Sequence, residues 1–294
     1  MLKYVVLFLV AVYGSACLYL WARQPNLIFF PSAVIEKTPA SVGVVYEDVW
    51  LEVAKGERLH GWWLPARSPN SDVLLYLHGN GVNIGGNVNH AYRFYQLGFN
   101  VLLIDYRGYG LSEGGFPNEK SVYEDVEVAW NYLVKERNFE GKQIFVYGHS
   151  LGGAIAIELA SRHPEIAGVI IEGSFTSMRD MVSEIYPSFV VFPIDLVLHQ
   201  RFNSSEKIGK LKMPVLFIHG TADATVPAFM SQKLFDLANE PKYLHFIDGA
   251  DHNNLATVAG KRYLDIVGEF IDEVKKRQSQ QKSSSLPAES GNIH

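Results

Sequence analysis

From residue 73 to residue 247, six short runs rich in valine, isoleucine and leucine alternate with helical patterns. Such runs are typical of strands buried on both faces, and the helices between them then cover a right-handed, mostly parallel sheet. Two earlier runs are joined by a short segment containing Gly56, which suits a hairpin turn. The sequence therefore predicts an α/β fold with an eight-stranded, mostly parallel sheet and helices on both faces. The predicted strands are residues 44–53, 59–64, 73–77, 101–105, 144–147, 169–172, 214–219 and 243–247.

One connection between predicted strands, residues 176–211, is longer than is typical and contains an apolar run over 189–198. Its length predicts one or two short helices lying as a cap over the carboxyl edge of the sheet, where ligands bind in such folds. Two interpretations of this insertion remain open: extra packing, or an apolar cap that lines an acyl pocket. The predicted helices elsewhere cover residues 87–97, 118–135, 151–162, 228–237 and 257–275.

Residues 4–22 form a run without a single charge between Lys3 and Arg23. As a helix the run would be about 28 Å long, close to the hydrocarbon thickness of a bilayer. We interpret residues 1–23 as an uncleaved, single-pass membrane anchor; a cleaved signal peptide and a buried core helix are the alternatives. One basic residue flanks each end, so the positive-inside rule does not assign the side of the membrane.

Residues 24–275 are predicted to form the main domain, and the polar, serine-rich residues 276–294 a disordered tail. The chain has 26 basic and 31 acidic residues and a net charge of −5. It lacks the basic surplus that nucleic-acid binding requires, so no nucleic-acid partner is predicted. Cys17 is the only cysteine, which excludes an internal disulfide and a cysteine-based metal cluster.

The predicted strand 144–147 leads into an alanine-rich helix through the segment Gly148-His149-Ser150-Leu151-Gly152. G-x-S-x-G between a strand and a helix is typical of a nucleophile elbow, a sharp turn that exposes the serine. Glycines two residues before and after the serine avoid a collision across the turn. The turn also places Ser150 at a helix N-terminus, where developing negative charge is stabilised. Ser150 is therefore the candidate nucleophile.

A catalytic serine needs a base held by a third group, and in such sheets the order along the chain is serine, acid, histidine. Asp223 follows the predicted strand 214–219, and His252 follows the last predicted strand. Since the carboxyl ends of parallel strands meet at one edge, we expect Ser150, Asp223 and His252 to lie together. Asp105 also follows a strand, but we interpret it as part of a structural turn.

Three more histidines, His78, His149 and His219, lie beside glycine turns at the same edge. We expect the first to orient a loop and the second to pack beside the elbow. His90 lies in a predicted helix and lacks such a placement. No pair of histidines at metal-ligand spacing is accompanied by carboxylates, so neither a metal nor a cofactor is predicted.

A second glycine-rich turn, Gly79-Asn80-Gly81, follows the predicted strand 73–77. Acyl transfer generates an oxyanion that two backbone N–H groups must stabilise. The predicted donors are the amides of Leu151 and Asn80, with Gly79 and Gly81 allowing close approach. A phosphate-binding loop is the alternative, but the turn is not followed by Gly-Lys-Ser/Thr.

Together these motifs resemble the α/β-hydrolase superfamily over roughly residues 20 to 275. Segments 24–31, 74–80 and 105–110 are similar to the membrane-anchored abhydrolase-domain-containing proteins of the bud-emergence branch. The resemblance implies the α/β-hydrolase fold and a serine hydrolase with Ser150 as nucleophile, Asp223 as acid and His252 as base. It implies carboxyl-ester hydrolysis without a particular substrate. The chain departs from the superfamily pattern in having only the insertion instead of a large cap domain, which argues against bulky substrates.

We therefore expect a membrane-tethered serine hydrolase that cleaves ester or thioester bonds through an acyl-enzyme. The apolar anchor and insertion favour small-molecule or lipid-like substrates with an apolar acyl group, or an acylated protein. A serine peptidase of the prolyl-oligopeptidase or aminopeptidase kind shares the triad, but the sequence predicts no propeller domain. A catalytically silent scaffold is the third hypothesis, although such a protein has no physical reason to keep a strained elbow.

Overall fold

A computed structural model describes residues 1–284, and its centre is an eight-stranded sheet with helices against both faces. The predicted α/β architecture is confirmed, and strand boundaries differ by only a few residues from the prediction. Every residue of the third, fourth and sixth strands is buried, as their continuous apolar sequences require. The strands are β1 Glu47–Ala54, β2 Glu57–Leu64, β3 Val73–Leu77, β4 Asn100–Ile104, β5 Ile144–His149, β6 Gly168–Glu172, β7 Val215–Gly220 and β8 Lys242–Ile247.

The strand order is β1-β2-β4-β3-β5-β6-β7-β8. The first two strands form the predicted hairpin, in which Gly56 takes φ +84°, and β2 is also antiparallel to β4. All the other pairs are parallel. From β3 the chain moves to one side to form β4 and then returns to the other side to form β5. This reversal opens a crevice at the carboxyl ends of β3 and β5, which is where open α/β sheets bind ligands.

Ten α-helices lie within the described residues, and the two faces of the sheet carry different sets of them. The α3, α4 and α8 helices pack on one face, and α2, α9 and α10 pack on the other. The helices are α1 Leu2–Ile28, α2 Val88–Gln96, α3 Glu119–Asn131, α4 Leu151–Arg162, α5 Met178–Ile185, α6 Ile194–Val197, α7 Ser205–Ile208, α8 Phe229–Leu237, α9 Leu255–Ala259 and α10 Lys261–Ser284.

The C-terminal helix differs from its prediction at both ends. The predicted helix 257–275 is divided at Gly260, whose φ of +55° lies outside the helical region. Its second part, α10, continues past residue 275 to Ser284, so the predicted disordered tail begins too early. Lysine, arginine and glutamine are good helix formers, and an Arg277–Glu273 pair at 2.9 Å supports the extension. The rest of the predicted tail, residues 285–294, lies outside the described residues.

The α1 helix is the one helix in residues 1–284 that is long and apolar enough to cross a membrane. It has 27 residues, and its most apolar window has a mean hydropathy of 2.1 with none of the window buried. The helix continues past residue 23, the predicted end of the anchor, as far as Ile28. In this last part Gln24 is buried, because its side-chain oxygen accepts hydrogen bonds from the amides of His199 and Gln200.

The insertion, residues 176–211, forms the short helices α5, α6 and α7 and a 3-10 turn over Pro187–Val191. It lies against α1. The Tyr13 hydroxyl donates to the Val191 carbonyl at 2.7 Å, and the rings of Tyr13 and Phe192 stack with centroids 5.8 Å apart. The insertion and α1 therefore form one continuous structure.

Candidate active site

Ser150 occupies the sharp turn between β5 and α4, with φ 53° and ψ −117°. Neighbouring backbone crosses so closely that the flanking glycines cannot carry a side chain. A Cβ on Gly148 would lie 2.2 Å from the Gly152 carbonyl oxygen, and one on Gly152 would lie 2.2 Å from that of Leu77. The turn is therefore strained in the way that the G-x-S-x-G pattern predicts.

Asp223 and His252 lie on the loops that follow β7 and β8, and their side chains are in contact. His252 Nδ1 lies 2.7 Å from Asp223 Oδ2, and the other carboxylate oxygen accepts the amides of Thr225 and Val226 at 2.8 Å each. Burial by itself would raise the pKa of Asp223. Hydrogen bonds from His219, His252 and the backbone outweigh burial and hold the pKa of the carboxyl well below its usual range. Asp223 is therefore an ionised acceptor that orients the imidazole.

Ser150 and His252 line the same cavity, which has a volume of about 470 Å³ and extends between the elbow, α2 and the loop after β3. In the described part of the chain, no residue of the insertion lines this cavity. Of the two open interpretations, the lining of this cavity supports extra packing and does not support an apolar cap that lines an acyl pocket. Apolar side chains of the insertion such as Phe189 and Phe192 instead lie against α1, a contact between segments far apart in sequence.

The loop after β3 approaches the elbow closely. A Cβ on Gly79 would lie 3.5 Å from Ser150 Cβ, whereas a Cβ on Gly81 would meet nothing within 4 Å. The Asn80 side chain donates to the Ile28 carbonyl at 2.7 Å, and the Asn80 carbonyl accepts the Phe30 amide at 3.0 Å. The end of α1 therefore fixes the position of this loop.

Leu151 is the first residue of α4, so its N–H has no acceptor within the helix. The Tyr109 hydroxyl donates to the Asn80 carbonyl at 2.7 Å and adds a second restraint on the loop.

Asp105 is fully buried and accepts the Ile84 amide at 2.9 Å, with His78 Nε2 at 3.4 Å. Its contacts thus tie the β4 turn to the loop after β3.

His149 packs beside the elbow, with its ring centroid 4.8 Å from that of His252. Its Nε2–H donates to the His252 carbonyl oxygen at 2.9 Å. Burial lowers the pKa of His149 to about 4, so the ring is neutral near pH 7 and can make this bond.

Sequence reasoning placed His219 at this edge without giving it a role, and it missed three other residues around the site. His219 is fully buried at the end of β7 with its Nε2 3.1 Å from Asp223 Oδ2, so it is a second neighbour of the acid. Glu172, Tyr147 and His90 line the cavity. A charged residue at the end of the apolar strand β6 was an available signal for Glu172. His90 lies on α2, and only the packing of α2 against the sheet brings it to the cavity.

Comparison with known proteins gives the class of this protein. A family model described as serine aminopeptidase, S33, matches residues 68–204. An esterase from Pyrococcus furiosus shares the fold, with a TM-score of 0.68 and 22% identity over 84% of this chain and 97% of that one. Sequence relatives of higher identity cover almost the whole chain. The chain belongs to the α/β-hydrolase family.

Within the family, the chain belongs to the branch that contains bem46. The Schizosaccharomyces pombe protein bem46 is 33% identical over 283 residues, covering 92% of this chain and 93% of the relative. The Saccharomyces cerevisiae uncharacterized membrane protein YNL320W is 34% identical over 242 residues, covering 80% and 83% respectively. The predicted resemblance to the bud-emergence branch is confirmed.

Proposed function

We propose that this hydrolase is a serine esterase or thioesterase with Ser150 as nucleophile, His252 as base and Asp223 as orienting acid. One observation carries the proposal: the strained serine and the His252–Asp223 pair at 2.7 Å meet at a single cavity. An unstrained serine would not need glycines on both sides, and a structural histidine would not need an ionised partner. The arrangement suits nucleophilic acyl transfer.

The reaction proceeds through two acyl transfers. Because His252 Nδ1 is bonded to Asp223, Nε2 takes the proton from Ser150 Oγ as that oxygen attacks the acyl carbonyl carbon. The amides of Leu151 and Asn80 stabilise the oxyanion. The intermediate collapses to an acyl-enzyme while His252 Nε2 protonates the leaving alcohol or thiol. Water, activated by the same nitrogen, then releases the acid and restores Ser150.

The test is hydrolysis of p-nitrophenyl esters from acetyl to palmitoyl by the full chain in an uncharged detergent. Ser150→Ala and His252→Ala should each lose about 10⁴ to 10⁶ in turnover, and Asp223→Ala somewhat less. Asp105→Ala tests the other carboxylate that follows a strand at this edge, and thermal unfolding of this variant shows whether the loop that Asp105 holds is still folded. Full activity in Asp223→Ala together with loss in Asp105→Ala would reassign the acid.

A peptidase is the second candidate, favoured by the description of the matching family model as a serine aminopeptidase. Aminoacyl p-nitroanilides measure this activity in the same assay. Serine-dependent turnover of the anilides and not of the esters would replace the esterase by a peptidase. Loss of serine-dependent turnover for both substrate classes would indicate a catalytically silent scaffold.

We propose that α1 is an uncleaved, single-pass membrane anchor. Its length and hydropathy support this, and so does the yeast relative whose name describes a membrane protein. Exposed apolar side chains of the adjacent insertion extend the same surface, among them Val190, Val191 and Leu196. A signal peptide would be removed, so an N-terminal epitope tag retained in carbonate-washed membranes supports the anchor, and its loss from the mature chain refutes it.

The location beside a membrane also supports substrates with an apolar acyl part, such as a lipid-like ester or an acylated protein. The ester series tests this preference, since serine-dependent kcat/KM should then rise with acyl length. Activity confined to acetyl and butanoyl esters would leave a small-ester hydrolase.

A further inference from the structure

His219 lies at the end of β7, and the acyl-transfer mechanism described above gives it no role. Its ring is fully buried and does not line the cavity at Ser150. The four strand residues before it are apolar, so a buried imidazole at this point must find hydrogen-bond partners for both of its nitrogens. Those partners connect His219 to the acid of the proposed triad.

The contacts of the ring determine which nitrogen carries the proton. Nε2 lies 2.9 Å from the Val226 carbonyl oxygen and 3.1 Å from Asp223 Oδ2. Both oxygens can only accept, because the carboxylate is ionised, so Nε2 must be the donor. Nδ1 lies 2.6 Å from the hydroxyl of Ser231, a fully buried residue of α8, and accepts from it in the neutral ring. Ser231 therefore holds the tautomer that presents an N–H to the acid.

Asp223 Oδ2 is thus approached by an N–H from each of two imidazoles. His252 Nδ1 lies at 2.7 Å and His219 Nε2 at 3.1 Å. Burial raises the pKa of Asp223, and the hydrogen bond from His219 is the largest of the effects that outweigh burial and hold this pKa well below its usual range. His219 therefore stabilises the ionised form of the carboxyl that an orienting acid requires.

His219 also holds the loop that carries the acid. The Val226 amide donates to Asp223 Oδ1 at 2.8 Å, and the carbonyl of the same residue accepts from His219. One imidazole N–H is therefore shared between the carboxylate and the backbone that follows it. A residue that only joined β7 to α8 would need Ser231 and Val226, but it would not need to approach the carboxylate.

We propose that His219 is a positioning residue, which directs its Nε2–H at Asp223 and keeps the carboxylate oriented toward His252 Nδ1. Rotation of the carboxylate away from His252 would also break its contact with His219. The inference rests on the proposed function, because His219 acts on Ser150 only through Asp223 and His252. It adds a second buried imidazole to the proposed triad.

Two amide substitutions separate the donor to Asp223 from the acceptor of Ser231. The terminal nitrogen of glutamine can occupy the place of Nε2, whereas the shorter asparagine reaches only the place of Nδ1. In p-nitrophenyl butanoate hydrolysis by the full chain in an uncharged detergent, His219→Asn should lower kcat about tenfold or more, because a misplaced catalytic group can cost about 10². KM should change little, since His219 does not line the cavity. His219→Gln should recover most of the lost kcat.

The matched control is another buried imidazole that contacts a carboxylate. His60 on β2 is 1% exposed, with its Nε2 2.8 Å from Asp48 Oδ1, outside the site. His60→Asn should destabilise the protein in thermal unfolding and leave kcat unchanged. An equal loss of kcat in His60→Asn and His219→Asn would reduce the effect to general destabilisation and overturn the proposal.

A double variant tests whether His219 acts through the acid. In an Asp223→Ala background, His219→Asn should lower kcat no further, because residues that act as a unit have non-additive effects. Multiplying losses would show that His219 acts by another route.

Ser231→Ala keeps the proposal testable if His219→Asn does not fold. It removes one hydroxyl and leaves the imidazole in place, so kcat should fall about threefold or more, less than for loss of the imidazole itself. Full kcat in Ser231→Ala, with His219→Asn either unfolded or fully active, would refute the positioning role.

A readout without turnover separates this inference from the proposed function. The His252 Nδ1 proton, bonded to a carboxylate, should give a proton NMR signal far downfield of the amides, assigned by its loss in His252→Ala. In Ser150→Ala protein, adding His219→Asn should move or broaden this signal, and adding His60→Asn should not. A signal that depends on His219, without serine-dependent hydrolysis in the wild type, would support the positioning role and refute the proposed reaction. Serine-dependent hydrolysis with the signal and kcat unchanged in His219→Asn would overturn the inference alone.

Discussion

Ser150 and its neighbours show how much of the proposed chemistry depends on single residues. The strained backbone at Ser150 persists because tightly packed groups surround it, including His149, whose ring bonds the His252 carbonyl. His149 can hold that place only as a neutral ring, because a charged imidazole would be desolvated there. The protonation of one buried histidine therefore affects the stability of the whole site.

His149 should make the protein less stable in mild acid. Its pKa is lowered from 6.5 to about 4 in the fold, so between these values the unfolded chain binds a proton that the folded chain does not. Stability is then lost as the pH falls through this window, by roughly 2 kcal/mol between pH 7 and pH 5. His149→Gln should lack this loss, which thermal unfolding at the two pH values measures. An equal pH dependence in both proteins would contradict the assignment.

At the scale of elements, the turn between β5 and α4 and the loop after β3 form the site because each approaches the other's backbone. The two loops use their glycines differently. A side chain at position 152 would collide with the Leu77 carbonyl on the neighbouring strand, whereas Gly81 faces open space. The sequence pattern alone treats both glycines as necessary for close approach.

Gly152→Ala should therefore be far more damaging than Gly81→Ala. The first places a Cβ 2.2 Å from a backbone oxygen, and the second meets nothing within 4 Å. We expect the first to cost about 2 kcal/mol or more and the second to stay within about 0.5 kcal/mol. Thermal unfolding of the two variants measures the difference. Similar losses in both would show that the elbow does not depend on this contact.

The insertion is an element whose proposed role depends on its partner α1. Val190 of the insertion is 78% exposed, and the carbonyl of its neighbour Val191 accepts a hydrogen bond from Tyr13 of α1. Because Cys17 is the only native cysteine, a Cys17→Ser background allows single-site labelling at position 190 with an environment-sensitive fluorophore. In proteoliposomes, a label on Val190→Cys should emit at shorter wavelength than one on Leu237→Cys, an exposed site on α8. Equal emission at both sites would place the insertion in water.

At the scale of the whole molecule, the proposed anchor and the proposed catalytic site are mechanically connected. Gln24 on α1 holds the insertion through the amides of His199 and Gln200, and Ile28 at the end of α1 accepts the Asn80 side chain. The loop that carries a proposed oxyanion donor thus depends on the end of α1, a helix that the predicted domain boundary at residue 23 divides.

Two truncations test this connection. Deleting residues 2–20 leaves the contacts of Gln24 and Ile28, and kcat/KM for a soluble ester should stay close to that of the full chain. Deleting residues 2–30 removes the partners of Asn80, and kcat/KM should fall about tenfold or more, since one misplaced oxyanion donor costs up to about 10²–10³. Full activity in the longer deletion would show that α1 serves only to anchor.

Local sequence was enough to predict the sheet, its helices and the candidate residues at the strand ends. Strands buried on both faces are continuously apolar, and G-x-S-x-G between a strand and a helix indicates a tight turn. The structure of residues 144–153 could therefore be predicted from that segment alone. The order Ser150, Asp223, His252 follows in turn from the direction of parallel strands. Such features depend on neighbours in the chain or on the regular geometry of a sheet.

The remaining features depend on contacts between segments far apart in sequence, and only the tertiary structure decided them. The apolar surface of the insertion had several places to pack, and it lies on α1 instead of over the cavity. Glu172 and His90 belong to a strand and a helix 82 positions apart, and their 3.5 Å approach exists only because α2 packs on that face of the sheet. Sequence thus determined the elements and the strand-end residues, while packing determined what surrounds the serine.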